Sequence, residues 1–177
     1  QRVLAKDLIA DHDVPLFDRS PYDGYAVRAE DTKNTARPFK VVGHIGAGSL
    51  YEPTLREQEA VRIMTGAPIP DGADAVIMLE DTEFFEEDNV SYVKLSKTLQ
   101  IHDNISFQGE DVQKETALVE KGTVINPGIV ALLATFGYAK VPVSKKPVIG
   151  VIATGSELLD VSDQLEPGKI RNSNAYM

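Results

Sequence analysis

Residues 62–82 read RIMTGAPIPDGADAVIMLEDT. Short runs rich in Val and Ile stand at both ends of this stretch, and such runs are typical of β-strands. Between them, TGAPIPDGAD contains too much proline and glycine for a helix, so it predicts a tight connection between two strands. Thr65 and Gly66 close the first strand, where a hydroxyl and backbone N–H groups can face a ligand. The alternative is a purely structural turn, stiffened by Pro68 and Pro70.

The same alternation of strands and turns extends outward from this stretch. FKVVGHIG at 39–46 and SYVKLSK at 91–97 are further apolar runs bounded by Gly, Pro and Asp clusters. The segment from about residue 39 to residue 111 is therefore predicted to be mostly antiparallel β. Six acidic residues fall at irregular spacing between Glu80 and Asp88. We interpret them as a solvated hairpin end rather than a metal site.

Two helices are predicted on either side of this β region. Residues 1–12 place their apolar side chains at roughly helical spacing, which predicts an amphipathic helix. NPGIVALLATFG at 126–137 predicts a second helix, with Asn126 as N-cap, Pro127 in the first turn and Gly137 as the stop. Because this second segment is apolar almost all round, we expect it to be buried.

The last part of the chain has the sequence pattern of an α/β domain. PVIGVIATGSELL at 147–159 predicts a strand over 148–153, a glycine turn and a helix, which is the opening of a βα unit. A parallel sheet buried on both faces needs several strands, and one convincing strand is visible. We therefore expect the chain to be a fragment of a longer protein.

Composition limits the classes of function. The 177 residues carry a formal net charge of −9, no cysteine and three isolated histidines. The negative charge argues against nucleic acid as the main partner, because binding phosphates needs an excess of Lys and Arg. The lack of cysteine excludes disulfides, thiolate catalysis and Cys-based metal sites. No apolar run approaches the ~20 residues of a membrane span, so we expect a soluble, cytoplasmic protein with no membrane partner.

Three carboxylates stand at positions that suit chemistry. In SPYDGYAV at 20–27, Asp23 is either a turn residue or a functional carboxylate between two tyrosines. In GED at 109–111, Asp111 is either reactive or a turn cap. Glu157 follows the glycine turn at the point where open α/β sheets bind ligands, as a general base or as a residue favoured by the helix dipole. That turn lacks the glycines of a dinucleotide fingerprint and the Gly-Lys of a P-loop.

Six motifs together carry a family resemblance. They are SPYDGYAV at 20–27, RIMTGAPIPDGADAVIMLEDT at 62–82, NISFQGEDV at 104–112, NPGIVALLATFG at 126–137, VIATGSEL at 151–158 and IRNSN at 170–174. In this order they resemble the molybdopterin molybdenumtransferases, which are the MoeA proteins of bacteria and the E domain of gephyrin. The resemblance covers nearly the whole chain, and TGAPIPDGADAV is its most specific part.

The resemblance implies an enzyme of molybdenum cofactor biosynthesis. Such an enzyme binds adenylylated molybdopterin and molybdate, inserts molybdenum at the dithiolene sulfurs and releases AMP, with a divalent metal such as Mg²⁺. It implies a homodimer with an active site shared between subunits. The molybdopterin-adenylylating enzyme and molybdoenzymes are further expected partners. Since later residues of the molybdopterin-binding domain, including the molybdate side of the site, would be missing, we expect the 177-residue chain alone to be inactive.

The resemblance also implies a domain arrangement of the α+β class. Residues 1–14 and 114–144 would form domain I, a small α/β dimerisation domain. Residues 15–113 would form domain II, a mostly antiparallel β domain inserted into domain I. Residues 145–177 would begin domain III, as the first βα unit of an incomplete doubly wound α/β domain that binds molybdopterin.

Site residues carry over from the matching motifs. The resemblance implies that Asp23 of DGYA and Thr65 of TGAP project toward the active site of the other subunit. Glu157 would lie on the pterin side, and Asp111 of GED is the fourth catalytic candidate. The cofactor-binding candidates are Thr154, Gly155 and Ser156, and the metal ligands are unassigned.

One departure from the family pattern and one rival hypothesis stand beside this resemblance. Many relatives have Arg before GED, whereas this chain has Gln108, which puts any salt bridge or anion contact of that Arg in doubt. Tyr22 and Tyr25 are interpreted as packing residues that hold the DGYA loop. The rival hypothesis is a non-catalytic scaffold of the gephyrin E-domain type. The polar side chains of Asp23, Thr65 and Glu157 favour an enzyme, since a pure scaffold does not need them at a cleft.

Overall fold

The computed structural model describes residues 2–177, which form two compact units. The first unit ends at Pro142 and the second spans Val143–Met177. Each unit is described by itself.

A six-stranded mixed sheet makes up most of the first unit. It follows a short strand, β1 (Leu8–Ile9), that lies outside it. Its strand order is β5-β2-β4-β3-β7-β6, and β3 with β4 is the one parallel pair among the described residues of this sheet. The prediction of a mostly antiparallel β region is thus confirmed, with that exception. The strands are β2 (Gly24–Val27), β3 (Phe39–Ile45), β4 (Glu59–Ile63), β5 (Ala75–Met78), β6 (Thr82–Glu87) and β7 (Val90–Leu95), with 3₁₀ helices at Ala29–Lys33 and Leu79–Asp81.

Strand β2 lies in the interior of this sheet, and all four of its residues are buried. Successive side chains of a strand point to opposite faces. Accordingly, Tyr25 and Val27 pack with Phe39 and Val93 in one core cluster, whereas Ala26 packs in another cluster on the opposite face. Because both faces are covered, the sequence of this strand is apolar without alternation.

The last residues of the acidic segment form the turn of the β6–β7 hairpin. Asp88 and Asn89 occupy the two-residue turn with φ angles of 48° and 61°, the left-handed pair that a type I′ turn requires. Glu86, Glu87 and Asp88 at this turn are exposed, as predicted. Glu80 and Asp81 instead lie in the 3₁₀ helix before β6, where the Asp81 carboxylate is 2.5 Å from the Lys97 ammonium.

The N-terminal segment pairs as extended chain. β1 pairs with β8 (Ala117–Val119), and Val3 forms a bridge with Val124. The predicted helix over residues 1–12 is therefore wrong for the described residues, and Gln1 lies outside them. An isolated stretch of this length gains little from helical hydrogen bonds, whereas pairing with β8 satisfies its backbone and buries Leu4 and Leu8.

Helix α1 (Pro127–Thr135) begins and ends as predicted. The Asn126 side chain accepts a hydrogen bond from the Ile129 N–H at 2.9 Å, and Gly137 follows with φ of 71°. The prediction that this helix is buried is wrong, because Leu133 is the buried residue within it and Val130 is exposed. Leu133 packs against the paired β1 and β8, so one stripe of the helix is covered. Within residues 2–177, no helix combines the length and apolar character needed to cross a membrane.

The second unit contains two short parallel strands, β9 (Leu158–Leu159) and β10 (Ile170–Arg171), followed by a 3₁₀ helix at Asn174–Tyr176. The predicted strand over 148–153 and the helix after Gly155 are not formed, so both predictions are wrong for this structure. Val148 is 94% exposed and Ile152 is 86% exposed. A strand of a parallel sheet is stabilised by hydrogen bonds and packing from neighbouring strands, and residues 143–177 place no neighbouring strand beside this run.

Candidate active site

Asp23 is the residue immediately before β2. Its neighbour Gly24 pairs with Ile63 of β4 on one side and Met78 of β5 on the other. A Cβ atom added at Gly24 would lie 2.0 Å from the carbonyl oxygen of Ile77, so another residue does not fit there. The Asp-Gly pair therefore starts a tightly packed interior strand, and Asp23 is held at the edge of that packing.

Thr65 lies in the turn that follows β4. The Ala67 N–H donates to the Met64 carbonyl at 3.0 Å, and Gly66 has φ of 82°, a conformation that favours glycine. The turn is joined to the segment before β2 by two backbone hydrogen bonds. Gly66 N–H donates to the Ser20 carbonyl at 2.8 Å, and Ser20 N–H donates to the Ala67 carbonyl at 3.0 Å.

Asp23 and Thr65 are in direct contact, although 42 residues separate them. Oδ1 of Asp23 accepts the Thr65 backbone N–H at 2.7 Å and the Thr65 hydroxyl at 2.8 Å. These are the two residues that the resemblance assigns to one role, and the fold brings them together. The hydrogen bond between Oδ1 of Asp23 and the Thr65 hydroxyl is exposed to solvent.

Hydrogen bonding keeps Asp23 ionised. The Thr65 backbone N–H, and after it the Thr65 hydroxyl, lower the pKa of Asp23 below its ordinary value of 3.8. The positive charge of Arg62 acts in the same direction. Within residues 2–177 no hydrogen-bond donor reaches Oδ2 of Asp23. The site therefore presents one uncommitted, negatively charged oxygen.

The two tyrosines of SPYDGYAV have different environments. Tyr25 is fully buried in the core, as interpreted from the sequence. Tyr22 is 43% exposed, so the packing interpretation is wrong for this residue. The loop is held instead by buried Ser20, whose hydroxyl donates to the Tyr22 carbonyl at 2.5 Å and accepts the Tyr22 N–H at 3.3 Å.

Asp111 lies beside the same loop but outside the Asp23–Thr65 contact. Its carboxylate is 3.7 Å from the Arg19 guanidinium, and Arg19 directly precedes Ser20. Glu110 accepts the Ser106 hydroxyl at 2.8 Å, so the adjacent carboxylates have different partners. Among residues 2–177, no hydrogen bond or ion pair joins Asp111 to Asp23 or Thr65. Asp111 therefore pairs with Arg19, in the segment before the loop, through two partly exposed side chains.

Gln108 makes structural contacts at the position where many relatives have Arg. Its side-chain amide donates to Asp13 at 2.7 Å, and its backbone N–H donates to Asp18 at 2.8 Å. Asp13 also accepts the Lys114 N–H at 2.7 Å. The Lys114 N–H, followed by the Gln108 amide, lowers the pKa of Asp13. Asp13 was not singled out in the sequence, where an isolated Asp in a polar segment gives no signal.

The remaining candidates lie in the second unit, around a cleft of about 370 Å³. Thr154 and Glu157 line it together with polar residues of the IRNSN motif. The Ile170 N–H donates to the Glu157 carbonyl at 2.8 Å, and this bond draws the two motifs together. Ser156 accepts a hydrogen bond from Lys169 through its carbonyl, and Gly155 is not among the residues lining this cleft. The lining from the second motif consists of Ile170, Arg171, Asn172, Ser173 and Asn174.

The first unit offers one carboxylate, Asp23, as a possible ligand for a magnesium ion. Mg²⁺ is usually held by one or two carboxylates together with substrate phosphates and water. In the part of the chain that the structure describes, no three His, Asp or Glu side chains group as a metal site. Oδ2 of Asp23 is nevertheless available as a single protein ligand. The donor set thus suits a metal that a phosphate substrate brings with it.

Comparisons with known proteins agree on one family. The family described as MoeA N-terminal region (domain I and II) matches residues 1–137. The chain is 61% identical over 180 residues to the molybdopterin molybdenumtransferase of Bacillus subtilis (strain 168), covering 99% of this chain and 42% of that relative. It is 51% identical over 179 residues to the molybdopterin molybdenumtransferase of Staphylococcus aureus (strain Mu50), with the same coverage of 99% and 42%.

A solved structure supports the same assignment. The crystal structure of the molybdopterin biosynthesis moeA protein from Pyrococcus horikoshii OT3 is similar with a TM-score of 0.82 at 39% sequence identity. That match covers 99% of this chain and 47% of the other chain. The chain thus spans less than half the length of the relatives that it matches. The sequence, the fold and the joined DGYA and TGAP motifs lead to one conclusion: this chain belongs to the MoeA family and contains its N-terminal region.

Proposed function

We propose that this chain acts as the N-terminal part of a molybdopterin molybdenumtransferase. The contact between Asp23 and Thr65 carries the proposal, because two motifs 42 residues apart meet there through two hydrogen bonds. The contact lies on exposed loops, where the unbonded Oδ2 of Asp23 is available to a ligand. The names of the relatives, each covered over 42% of its length, support the same activity.

The proposed reaction transfers molybdenum to molybdopterin. Adenylylated molybdopterin and molybdate are the substrates. The two dithiolene sulfurs displace oxygen from molybdate, which leaves as water, and attack of water on the phosphoanhydride bond releases AMP. Both substrates are anions, so a bare carboxylate at the site would repel them.

Asp23 has two proposed roles, of which the first overcomes this repulsion. Its free Oδ2 is a ligand for Mg²⁺, and a bound Mg²⁺ would neutralise negative charge on the phosphates. It can alternatively accept a proton from a reacting water, a role in which its lowered pKa makes it a weak base. Thr65 orients the carboxylate in either role. Asp111 positions the loop through Arg19, 3.7 Å away.

The second unit supplies the proposed pterin side of the site. The cleft of about 370 Å³ combines Thr154 and Glu157 with amide and hydroxyl side chains from the IRNSN motif. Such groups can donate to and accept from a pterin ring. Gly155 and Ser156 shape the turn beside the cleft. Glu157 is proposed to bind the pterin or to act as a base.

We further propose that residues 15–113 form a domain inserted between residues 1–14 and 114–144, and that residues 145–177 begin the pterin domain. The pairing of β1 with β8 supports the insertion, because the strands on either side of the sheet domain meet. We propose a homodimer whose active sites combine Asp23 of one subunit with Glu157 of the other.

The shared site predicts complementation between inactive variants. Proteins with the full length of the relatives, carrying Asp23→Asn or Glu157→Gln, should each be inactive. After subunit exchange, half of the dimers are mixed and contain one intact site, so about a quarter of the wild-type rate should return. Exchange would be verified by mass spectrometry of differently tagged subunits. Verified exchange without any recovery of AMP release would contradict the shared site.

The Asp23→Asn change also tests the activity itself. Asparagine keeps an oxygen acceptor for Thr65 and removes the charge, so the fold should persist while AMP release falls by about 100-fold or more. The measurement is AMP release from adenylylated molybdopterin with molybdate and Mg²⁺, using protein of full length. Asp103→Asn is the matched control, because Asp103 also accepts a backbone N–H, that of Gln100 at 2.8 Å.

Three results would separate the possibilities. Loss in Asp23→Asn alone supports the proposal. Equal activity in Asp23→Asn and wild type removes Asp23 from the chemistry. No AMP release by the folded wild-type dimer would favour the scaffold hypothesis.

A further inference from the structure

The face of the sheet that carries Tyr25 becomes polar at the end where β2 begins. Tyr25 is the direct partner of Arg62 in β4, so their side chains leave the same face. Arg62 is in turn the register partner of His44 in β3. Asp23 precedes Tyr25 by two residues and continues this face toward the loop. One corner of the sheet therefore gathers Asp23, Arg62 and His44 beside Thr65.

Arg62 is exposed while its neighbours in β4 are buried. Strand β4 is buried at Ala60, Val61 and Ile63, and Arg62 interrupts this run. Its charge is close enough to lower the pKa of both Asp23 and Tyr25, although burial outweighs it at Tyr25 and raises that pKa. The Arg62 charge thus acts on the candidate site.

The guanidinium of Arg62 makes no hydrogen bond or ion pair within residues 2–177. The arginines Arg19, Arg28 and Arg37 of the same unit each face a carboxylate at 3.4–3.9 Å. Arg62 stands near Asp23 yet forms no ion pair with it. A guanidinium offers five N–H donors in a planar fork that matches phosphate and similar oxyanions. In a chain of net charge −9, an unpaired cation beside the candidate carboxylate is suited to bind an anion.

We propose that Arg62 binds a tetrahedral oxyanion of the substrates at the Asp23–Thr65 site. The ligand group is molybdate or a phosphate of the adenylylated pterin, both of which present oxygens to the guanidinium fork. Arg62 offsets the repulsion between Asp23 and this anion. The inference rests on the proposed function, because that function brings both anions to the site.

The test compares three variants of the full-length protein. Arg62→Gln removes the charge, and Arg62→Lys keeps the charge without the fork. Arg56→Gln is the matched control, because Arg56 is also exposed with no ion pair among the described residues but precedes β4 at its opposite end. Initial rates of AMP release are measured while molybdate and adenylylated molybdopterin are varied separately.

We expect Arg62→Gln to raise one KM by roughly tenfold to a hundredfold, the range for losing charge-assisted hydrogen bonds. Arg62→Lys should recover part of this loss, and Arg56→Gln should behave as wild type. A rise in the KM for molybdate identifies molybdate as the ligand, and a rise in that for the pterin identifies its phosphate. An unchanged KM for both substrates, or a loss in kcat alone, would overturn the inference.

Failure of the proposed function gives a different result. If the wild-type protein releases no AMP, calorimetric titration with molybdate and with inorganic phosphate replaces the rates. Weaker binding of either anion to Arg62→Gln than to wild type and Arg56→Gln would keep Arg62 as an oxyanion-binding residue. Equal binding by all three proteins, or no binding by any, would remove it.

Discussion

The six-stranded sheet and the second unit contain similar apolar runs, one of which is buried in a strand and the other exposed without forming a strand. AVIM of β5 is largely buried, and Ile77 within it is fully buried. VIGVIA at 148–153 is as apolar, yet Ile152 is 86% exposed. The difference lies in the neighbours, because β5 pairs with β2 and both faces of the sheet are covered. An apolar run becomes a strand only where other segments supply hydrogen bonds and packing.

The same contrast separates the candidate residues of the first unit from those of the second. Asp23 and Thr65 are joined by side-chain hydrogen bonds and held by loops that share two backbone hydrogen bonds. Glu157 and the IRNSN motif approach one another through β9 and β10, which contain two residues each. The first part is therefore rigidly supported, and the second rests on a small number of contacts.

The largest expected effect comes from truncating matched isoleucines in the two regions. Ile63 is 0% exposed, whereas Ile152 is 86% exposed. Ile63→Ala should lower the free energy of unfolding by about 3 kcal/mol, through lost burial and the cavity left behind. Ile152→Ala should change it by less than about 0.5 kcal/mol. Urea denaturation of the chain measures both, and equal losses would break the comparison.

Matched glycines should show a somewhat smaller difference. A side chain at Gly24 meets the Ile77 carbonyl, whereas nothing lies within 4 Å of a Cβ atom at Gly150. Gly24→Ala should cost about 2 to 3 kcal/mol of unfolding free energy, because backbone must shift in an interior strand. Gly150→Ala should be within about 0.5 kcal/mol of wild type. A tolerated alanine at position 24 would show that β2 and β5 are less tightly packed than described.

The smallest expected effect is a shift in one titration. Thr65→Val keeps the shape and the backbone N–H but removes the hydroxyl donor. The pKa of Asp23 should therefore rise toward its ordinary value of 3.8 without reaching it. Asp13, whose pKa is lowered by Lys114 and Gln108, is the internal control and should not move. Carboxyl carbon NMR measures both, and an unchanged Asp23 midpoint would contradict the Asp23–Thr65 contact.

The sign of the pH effect on stability follows from the same shift. The folded-state pKa of Asp23 lies below 3.8, so its carboxylate stabilises the folded state fully above pH 3.8. That contribution is lost as the pH falls from 3.8 through the folded-state pKa. In Thr65→Val the contribution should be smaller over the whole range above pH 3.8, and this loss should be absent in a protein already carrying Asp23→Asn.

Strand content and helix ends were predictable because their signals are local. The Val-rich runs over 39–97, the connection at 65–74 and the Asn126 cap each depend on a few adjacent residues. The helix over residues 1–12 and the strand over 148–153 were wrong, since their outcome depends on distant partners. The apolar residues Leu4 and Leu8 instead pack in the cluster beside β8, where Leu8 pairs with Val119, 111 residues further along the chain.

The order of the motifs along the chain was enough to indicate the family, and it yielded Asp23, Thr65 and Glu157 as candidate site residues, because each short polar motif consists of adjacent residues. The arrangement of these residues could not be predicted from the motifs, because it comes from strand register. Register brings Asp23 to Thr65 and Arg19 to Asp111, and it leaves Arg62 unpaired. Register depends on pairing between segments far apart in the chain, whose closure entropy is repaid only when the whole sheet forms. The residue types are thus local information, while the charges that they present together are a property of the folded sheet.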